Sequence, residues 1–278
     1  MSTEHANNSS LERVLMRERL LVIVALSIAI IASWVYVLAG AGTGMSTWKM
    51  TSWKMALGLS HSMAMPVEWT ATYATVMFFM WWIMMIGMML PSAAPMILLH
   101  AKVNRTSAKR KGLQWSLLPT GAFTLGYLSA WAIFSALATT LQWSFEGIGV
   151  LSPMMMNSTN QVFAGLVLLF AGVYQITPLK HACLEHCRSP IGFLSQHWRP
   201  GTWGTFQMGI RHGVYCLGCC WGLMAILFFG GIMNLYWIIG LALIVLAEKV
   251  LPHGPRLGYA IGGLLSLWGA GVLLGALA

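Results

Sequence analysis

The sequence predicts an all-α fold: a polytopic bundle of about seven transmembrane helices, with the N-terminus inside and the C-terminus outside. Three observations carry that expectation. Hydrophobic residues make up 58% of the 278 residues and charged ones only 8%, where a soluble domain carries about 25% charged residues. The apolar residues gather into runs near the roughly 20 residues needed to cross a bilayer. Lysine and arginine are crowded into the connections on one side of those runs, the asymmetry that orients membrane helices.

The runs follow in order. A polar tail, 1–19, carries Arg13, Arg17 and Arg19 and leads into a first span at 20–40. A cleaved signal sequence ending at Ala39-Gly40-Ala41 competes with this reading. The long polar lead and span-length core favour a retained helix. The connection 42–68 is the longest on the outer side and repeats Trp48-Lys49-Met50 as Trp53-Lys54-Met55. Tryptophan and lysine suit a helix lying on the membrane interface, although Met50, Met55, His61, Met63 and Met65 could also form a loose soft-metal uptake site. The second span, 70–90, can continue to His100 through kinks at Pro91 and Pro95, since proline removes an intrahelical hydrogen bond.

An inner loop at 101–116 with Lys102, Arg105, Lys109, Arg110 and Lys111 precedes a third span at 117–141. A short fourth span at 162–177 leads to an inner loop, 178–207, with Lys180, Arg188 and Arg199. Spans five, six and seven fall at 208–231, 235–251 and 257–277, with Lys249 and Arg256 in an inner loop at 249–256. Only Lys49 and Lys54 lie on the outer side, and Arg211 sits just inside span five. Residues 20–278 thus read as one transmembrane domain whose first partner is the lipid bilayer. The net charge of +9 serves topology: there is no basic stripe with interleaved aromatics for nucleic acid, no nucleotide motif and no catalytic triad pattern.

Two groups of soft donors stand out. Cys183, His186 and Cys187 share one helix face at the predicted inner end of span four, and His212, Cys216, Cys219 and Cys220 share a face of span five. Five cysteines cannot complete a disulfide framework, and the inner side is a reducing compartment. A lone membrane cysteine packs as a small hydrophobe. Histidine beside it is costly in lipid without a partner, so the paired clusters point to metal binding or thiol chemistry. Thiolate and thioether donors favour Cu(I), and Cys/His sets also suit zinc.

Methionines at Met77, Met80, Met84 and Met88, with Met85 and Met89 beside them, form a stripe on span two. Such stripes usually fill packing gaps. Met84 and Met88 lie at the predicted depth of the cysteines and are the thioether candidates for a transfer path. Glu248 ends span six on the same side. Other residues have plainer expectations. Gly209/Gly213, Gly218/Gly222, Gly258/Gly262 and Gly271/Gly275 follow the small-xxx-small packing pattern. Arg211 either snorkels or pairs with Glu248. Glu68 and Glu146 are expected in solvent, and His100 and His253 at the surface.

Several stretches resemble a known family. They are 80–95 (Met80-Trp81-Trp82 through Pro91 and Pro95), then Tyr174-Gln175-Ile176-Thr177-Pro178-Leu179-Lys180 with Cys183, His186, Cys187, Arg188 and Pro190. Gly209-Ile210-Arg211-His212-Gly213, Tyr215-Cys216-Leu217-Gly218-Cys219-Cys220-Trp221 and Met233-Asn234 follow, and Glu248-Lys249 with Pro252 and Gly254 completes the set. Together they resemble the predicted metal-binding integral membrane proteins, a bacterial family of unknown function, from about Trp69 to the last span. The resemblance implies a multi-pass protein of the bacterial cytoplasmic (inner) membrane.

The expected function is Cu(I) handling (transport, insertion or an accessory role) with a metallochaperone or membrane protein as partner. A thiol or metal-dependent oxidoreductase using Cys216 with Cys219, and a structural subunit of a membrane complex, are the alternatives. An enzyme is the less favoured reading.

Overall fold

The computed structural model describes residues 2–58, 68–110 and 116–277, and the side chains of all of these but 2–18 and 109. The chain is helical almost throughout, in the order α1 (Ser2–Leu38), α2 (Thr47–Met50), α3 (Trp53–Ala56), α4 (Ala71–Arg110), α5 (Leu118–Gly147), α6 (Gln161–Gln175), α7 (Pro178–Arg188), α8 (Pro190–His197), α9 (Gly201–Ala225), α10 (Leu227–Gly230), α11 (Leu235–Val250) and α12 (Gly254–Leu277). Among the described residues, five stretches are long and apolar enough to cross a membrane: Arg19–Leu38, Ala71–Ala108, Leu118–Gly147, Gly201–Gly230 and Gly254–Leu277.

Two of the seven expected spans fall on shorter elements. The fourth falls on α6, of 15 residues, which a bend of 61° separates from α7. Ile176 ends α6 as its C-cap, Thr177 caps the next helix by accepting from the Lys180 N–H, and Pro178 takes the first turn of α7, where its missing N–H costs nothing. The sixth is α11, with 16 residues. At 1.5 Å per residue it reaches about 24 Å, less than the hydrocarbon thickness of about 30 Å. Asn234 starts it as N-cap. The second span is longer than expected, because α4 runs through both Pro91 and Pro95 to Arg110.

Glycine sets the helix spacing. A Cβ on Gly209 would lie 2.0 Å from the Phe123 carbonyl oxygen, and one on Gly126 would lie 2.1 Å from that of Phe206, so α5 and α9 pack backbone against backbone. Gly165, Gly172, Gly262 and Gly269 do the same for α6 and α12. Gly271 and Gly275 have open space where a Cβ would go, so the packing expected of that pair does not occur within the described chain.

Contacts gather the helix ends into two groups. At one end, His100 of α4 lies against Trp198 and Thr120, and Arg188 of α7 donates to the backbone carbonyls of Glu248 and Pro252. Lys102, Arg105, Lys180, Arg188, Arg199, Lys249 and Arg256 belong to this end. At the other, Trp69 donates to Glu146, Asn234 donates to the Ser52 carbonyl and Trp237 to that of Ala56. Lys49 and Lys54 belong there.

The segment after α1 folds onto this second end. Thr47 donates to the Val37 carbonyl, Met50 and Met55 are buried, and Trp48 and Trp53 are exposed. The interfacial helix expected from the tryptophan–lysine echo is thus two single turns with methionines inward and tryptophans outward. His61, Met63 and Met65 lie outside the described residues. The stretch 178–207, expected as a loop, holds α7, α8 and the start of α9. Lys180, Leu184, Phe193 and Leu194 are buried from it.

Candidate metal centre

Helical spacing puts His212, Cys216, Cys219 and Cys220 on the buried face of α9. The thiols of Cys219 and Cys220 both turn back to the Cys216 carbonyl, at 3.0 and 2.9 Å. The bend between α6 and α7 brings the second cysteine pair to the same face. Cys187 Sγ lies 4.0 Å from Cys219 Sγ, and Cys183 Sγ occupies the space a Cβ would need at Gly218. From α4, Met89 Sδ lies 3.9 Å from Cys220 Sγ. All five cysteines are free thiols.

Cys216 has polar company. Lys249 Nζ lies 3.0 Å from its sulfur and donates to Ser92 Oγ at 2.9 Å. The Tyr127 hydroxyl lies 3.2 Å from the same sulfur and donates to the Met89 carbonyl at 3.3 Å. A buried ammonium is the positive counterpart that deprotonated thiols need in an apolar interior. In the sequence, Lys249 has a topological role and a place in the resembling stretches, as Ser92 has in another, but neither they nor Tyr127 were expected at the site. The available signal was Glu248-Lys249 at the end of an apolar helix. Adjacent residues lie about 100° apart on a helix, so the two charges must face different neighbours.

Glu248 faces the other way. Lys180 Nζ lies 2.8 Å from its carboxylate, with both side chains buried, and Gln175 Nε2 donates to the second oxygen at 2.7 Å. Gly258 leaves room for this pair: a Cβ there would lie 2.9 Å from Lys180 Nζ. The ion pair considered for Arg211 is therefore made by Lys180, and Arg211 is exposed. Lys180 was expected in a loop. The capped turn at Thr177–Pro178 instead folds α7 back and buries it.

The remaining predicted donors are close to the thiols in sequence, and the contacts of their rings are with aromatic side chains. His186 stacks on Tyr215 at 4.2 Å between ring centres, with Nδ1 2.9 Å from the Ala182 carbonyl. His212 sits among Phe123, Tyr127 and Phe193, and its Nδ1 is buried without a hydrogen bond.

Met84 and Met88 are buried on α4. On a helical wheel they stand about 140° and 100° from Met89. Met84 lies nearer Gly87, whose missing Cβ faces Ser33 and Trp34 of α1. The thioether that reaches a thiol is Met89. His100, expected at the surface, is buried and stacked on Phe123 at 4.8 Å, because the helix continues past it and Trp198 covers it. Glu146, expected in solvent, accepts from Trp69 and Gln142, each at 2.8 Å.

The sulfur spacing suits a soft ion. Two sulfurs at about 2.3 Å from one trigonal metal lie about 4.0 Å apart, close to the Cys187–Cys219 and Cys220–Met89 separations of 4.0 and 3.9 Å. Among the described residues, no three Cys, His, Asp or Glu side chains stand close enough to form a metal cage as they are.

Membrane-length helices around five free thiols, three buried and two half-buried, define the class: a helical bundle with a soft-donor centre. The chain belongs to the PpoB2 family, described as a copper chaperone, which matches residues 78–272. The matched region contains all five cysteines, Met89, Lys180, Glu248 and Lys249, and the family ties the chain to copper. No curated protein and no solved structure matches it.

Proposed function

We propose that this protein is a membrane-embedded Cu(I) chaperone that takes up copper at its inner face and passes it to a protein partner. Cys183 and Cys187 on α7 receive the ion, and Cys187, Cys216, Cys219 and Cys220 hold it, with Met89 as an added thioether. His186 and His212 are flanking imidazole donors, and Met84 and Met88 continue the thioether path along α4. Copper is cargo here, and no reaction is assigned.

The observation that carries the proposal is the convergence of sulfur from three helices, α4, α7 and α9, at 3.9–4.0 Å spacing in a chain of a copper chaperone family. An unclosed site suits transfer, because an ion held by two or three sulfurs leaves room for an incoming ligand. Soft donors select Cu(I) over harder ions. Zinc is the alternative ion, and it prefers four ligands in a closed tetrahedron. The inner-face assignment is supported by the basic residues that share the thiols' end of the bundle. The five membrane-length helices support a location in the cytoplasmic membrane.

Anaerobic titration of purified full-length protein against a chromophoric Cu(I) chelator tests this reading, with zinc as a parallel arm. The wild type should withdraw Cu(I) from the chelator, and Cys216→Ser/Cys219→Ser should lose most of that capacity. Equal withdrawal by both proteins, or retention of zinc alone, contradicts the proposal.

A further inference from the structure

A second, nitrogen-donor position stands beside the thiols. His186 lies in the last turn of α7, and His197 is the final residue of α8. Their ring centres are 6.4 Å apart. Both rings lie against Tyr215, at 4.2 and 6.3 Å. The link Arg188-Ser189-Pro190 folds α8 back beside α7, so two histidines eleven residues apart come to one place.

Each ring is oriented in the same way. His186 Nδ1 lies 2.9 Å from the Ala182 carbonyl, and His197 Nδ1 lies 3.0 Å from the Phe193 carbonyl. A carbonyl only accepts, so in both rings Nδ1 carries the proton and Nε2 presents the lone pair. Metal-binding histidines are held in this way, with the outer N–H given to a backbone carbonyl. Both side chains are half-buried, so an ion can reach them from outside the bundle.

We infer that His186 and His197 form a two-imidazole docking site for Cu(I), one residue away from the thiol cluster through Cys187. The inference rests on the Cu(I) chaperone reading and adds His197, which the spacing of the Cys/His motifs does not single out. Metal–imidazole bonds of about 2.0 Å, with about 1.1 Å from ring centre to nitrogen on each side, place collinear bridged rings about 6 Å apart, near the observed 6.4 Å. A monovalent d10 ion accepts two collinear donors, whereas zinc needs four. Cys187 follows His186 on the same helix, about 100° round its axis, and its sulfur is 4.0 Å from Cys219 Sγ, which puts a thiol of the cluster on the helix that carries one of the imidazoles.

The test uses full-length protein titrated anaerobically with Cu(I). Copper uptake is counted, and carbethoxylation of each histidine is mapped by mass spectrometry. In the wild type, Cu(I) should protect His186 and His197 from modification at least fivefold. His197→Gln should bind one copper fewer and lose protection at His186, while the sulfur-bound copper remains. His186→Gln should do the converse. Unchanged modification of both histidines at full copper loading overturns the inference, as does an unaltered copper count in His197→Gln. Those results leave the chaperone reading standing if the thiols still bind copper. Failure of the wild type to bind any copper overturns both.

Discussion

Lys180→Met should be among the more damaging single changes in the chain. The Lys180–Glu248 pair is buried, 0% and 1% exposed, with 2.8 Å between charged atoms. Removing one partner of such a pair costs about 3–5 kcal/mol, because the other charge stays buried and uncompensated. The Gln175 amide still donates to Glu248 at 2.7 Å. A hydrogen bond to a charged group is worth about 1.5–3 kcal/mol, so a loss near 3 kcal/mol is expected.

Lys180→Met/Glu248→Gln removes both charges and keeps an acceptor for Gln175. It should recover to within about 1.5 kcal/mol of the wild type, since apolar replacement of a buried pair is often neutral. Glu248 neighbours Lys249, so the single variant should also weaken Cu(I) retention and the double variant restore it. Unfolding in mixed micelles with increasing dodecyl sulfate fraction measures the stability terms. A single-variant loss below about 1 kcal/mol, or a double variant no better than the single, refutes the reasoning.

Five further substitutions probe other positions. Gly209→Ala places a Cβ 2.0 Å from the Phe123 carbonyl oxygen and should destabilise by about 3 kcal/mol or more. Gly271→Ala meets nothing within 4 Å and should stay within about 1 kcal/mol of the wild type in the same unfolding assay. Met89→Leu removes the sulfur 3.9 Å from Cys220 and should lower Cu(I) affinity several-fold in chelator competition. Its stability should change by under about 1.5 kcal/mol, and Met84→Leu, which touches the path and not the thiols, should leave the affinity of the thiol site unchanged. Gln142→Leu strips the buried Trp81 indole of its acceptor at 2.9 Å and should cost about 1–3 kcal/mol, read by thermal unfolding.

The helical class and the long spans were legible because apolar length and basic asymmetry are local, one-dimensional signals. The bend at Thr177–Pro178 was not, since Thr-Pro marks a helix start without telling how sharply the chain turns. That bend buries Lys180 and turns an expected loop into α7 and α8. The thiols were legible as two helix-face stripes, and the structure brings members of both within 4.0 Å. Lys249, Tyr127 and Ser92 around Cys216 come from three other helices, and no spacing rule links residues across separate elements. Met89 rather than Met84 meets a thiol because the two stand about 140° apart on α4, and which of them faces α9 depends on how that helix is rotated among its neighbours, a tertiary fact. His100 looked like a surface residue beside a basic loop. Its burial depends on Trp198, 98 positions further on.

The central claim is that the converged sulfurs hold copper. X-ray absorption at the copper edge of purified, anaerobically loaded full-length protein tests it most directly. Cu(I) with two or three sulfur neighbours near 2.3 Å, reduced in number in Cys216→Ser/Cys219→Ser, is the predicted result. A first shell of nitrogen or oxygen alone, or a spectrum indifferent to those substitutions, would contradict it.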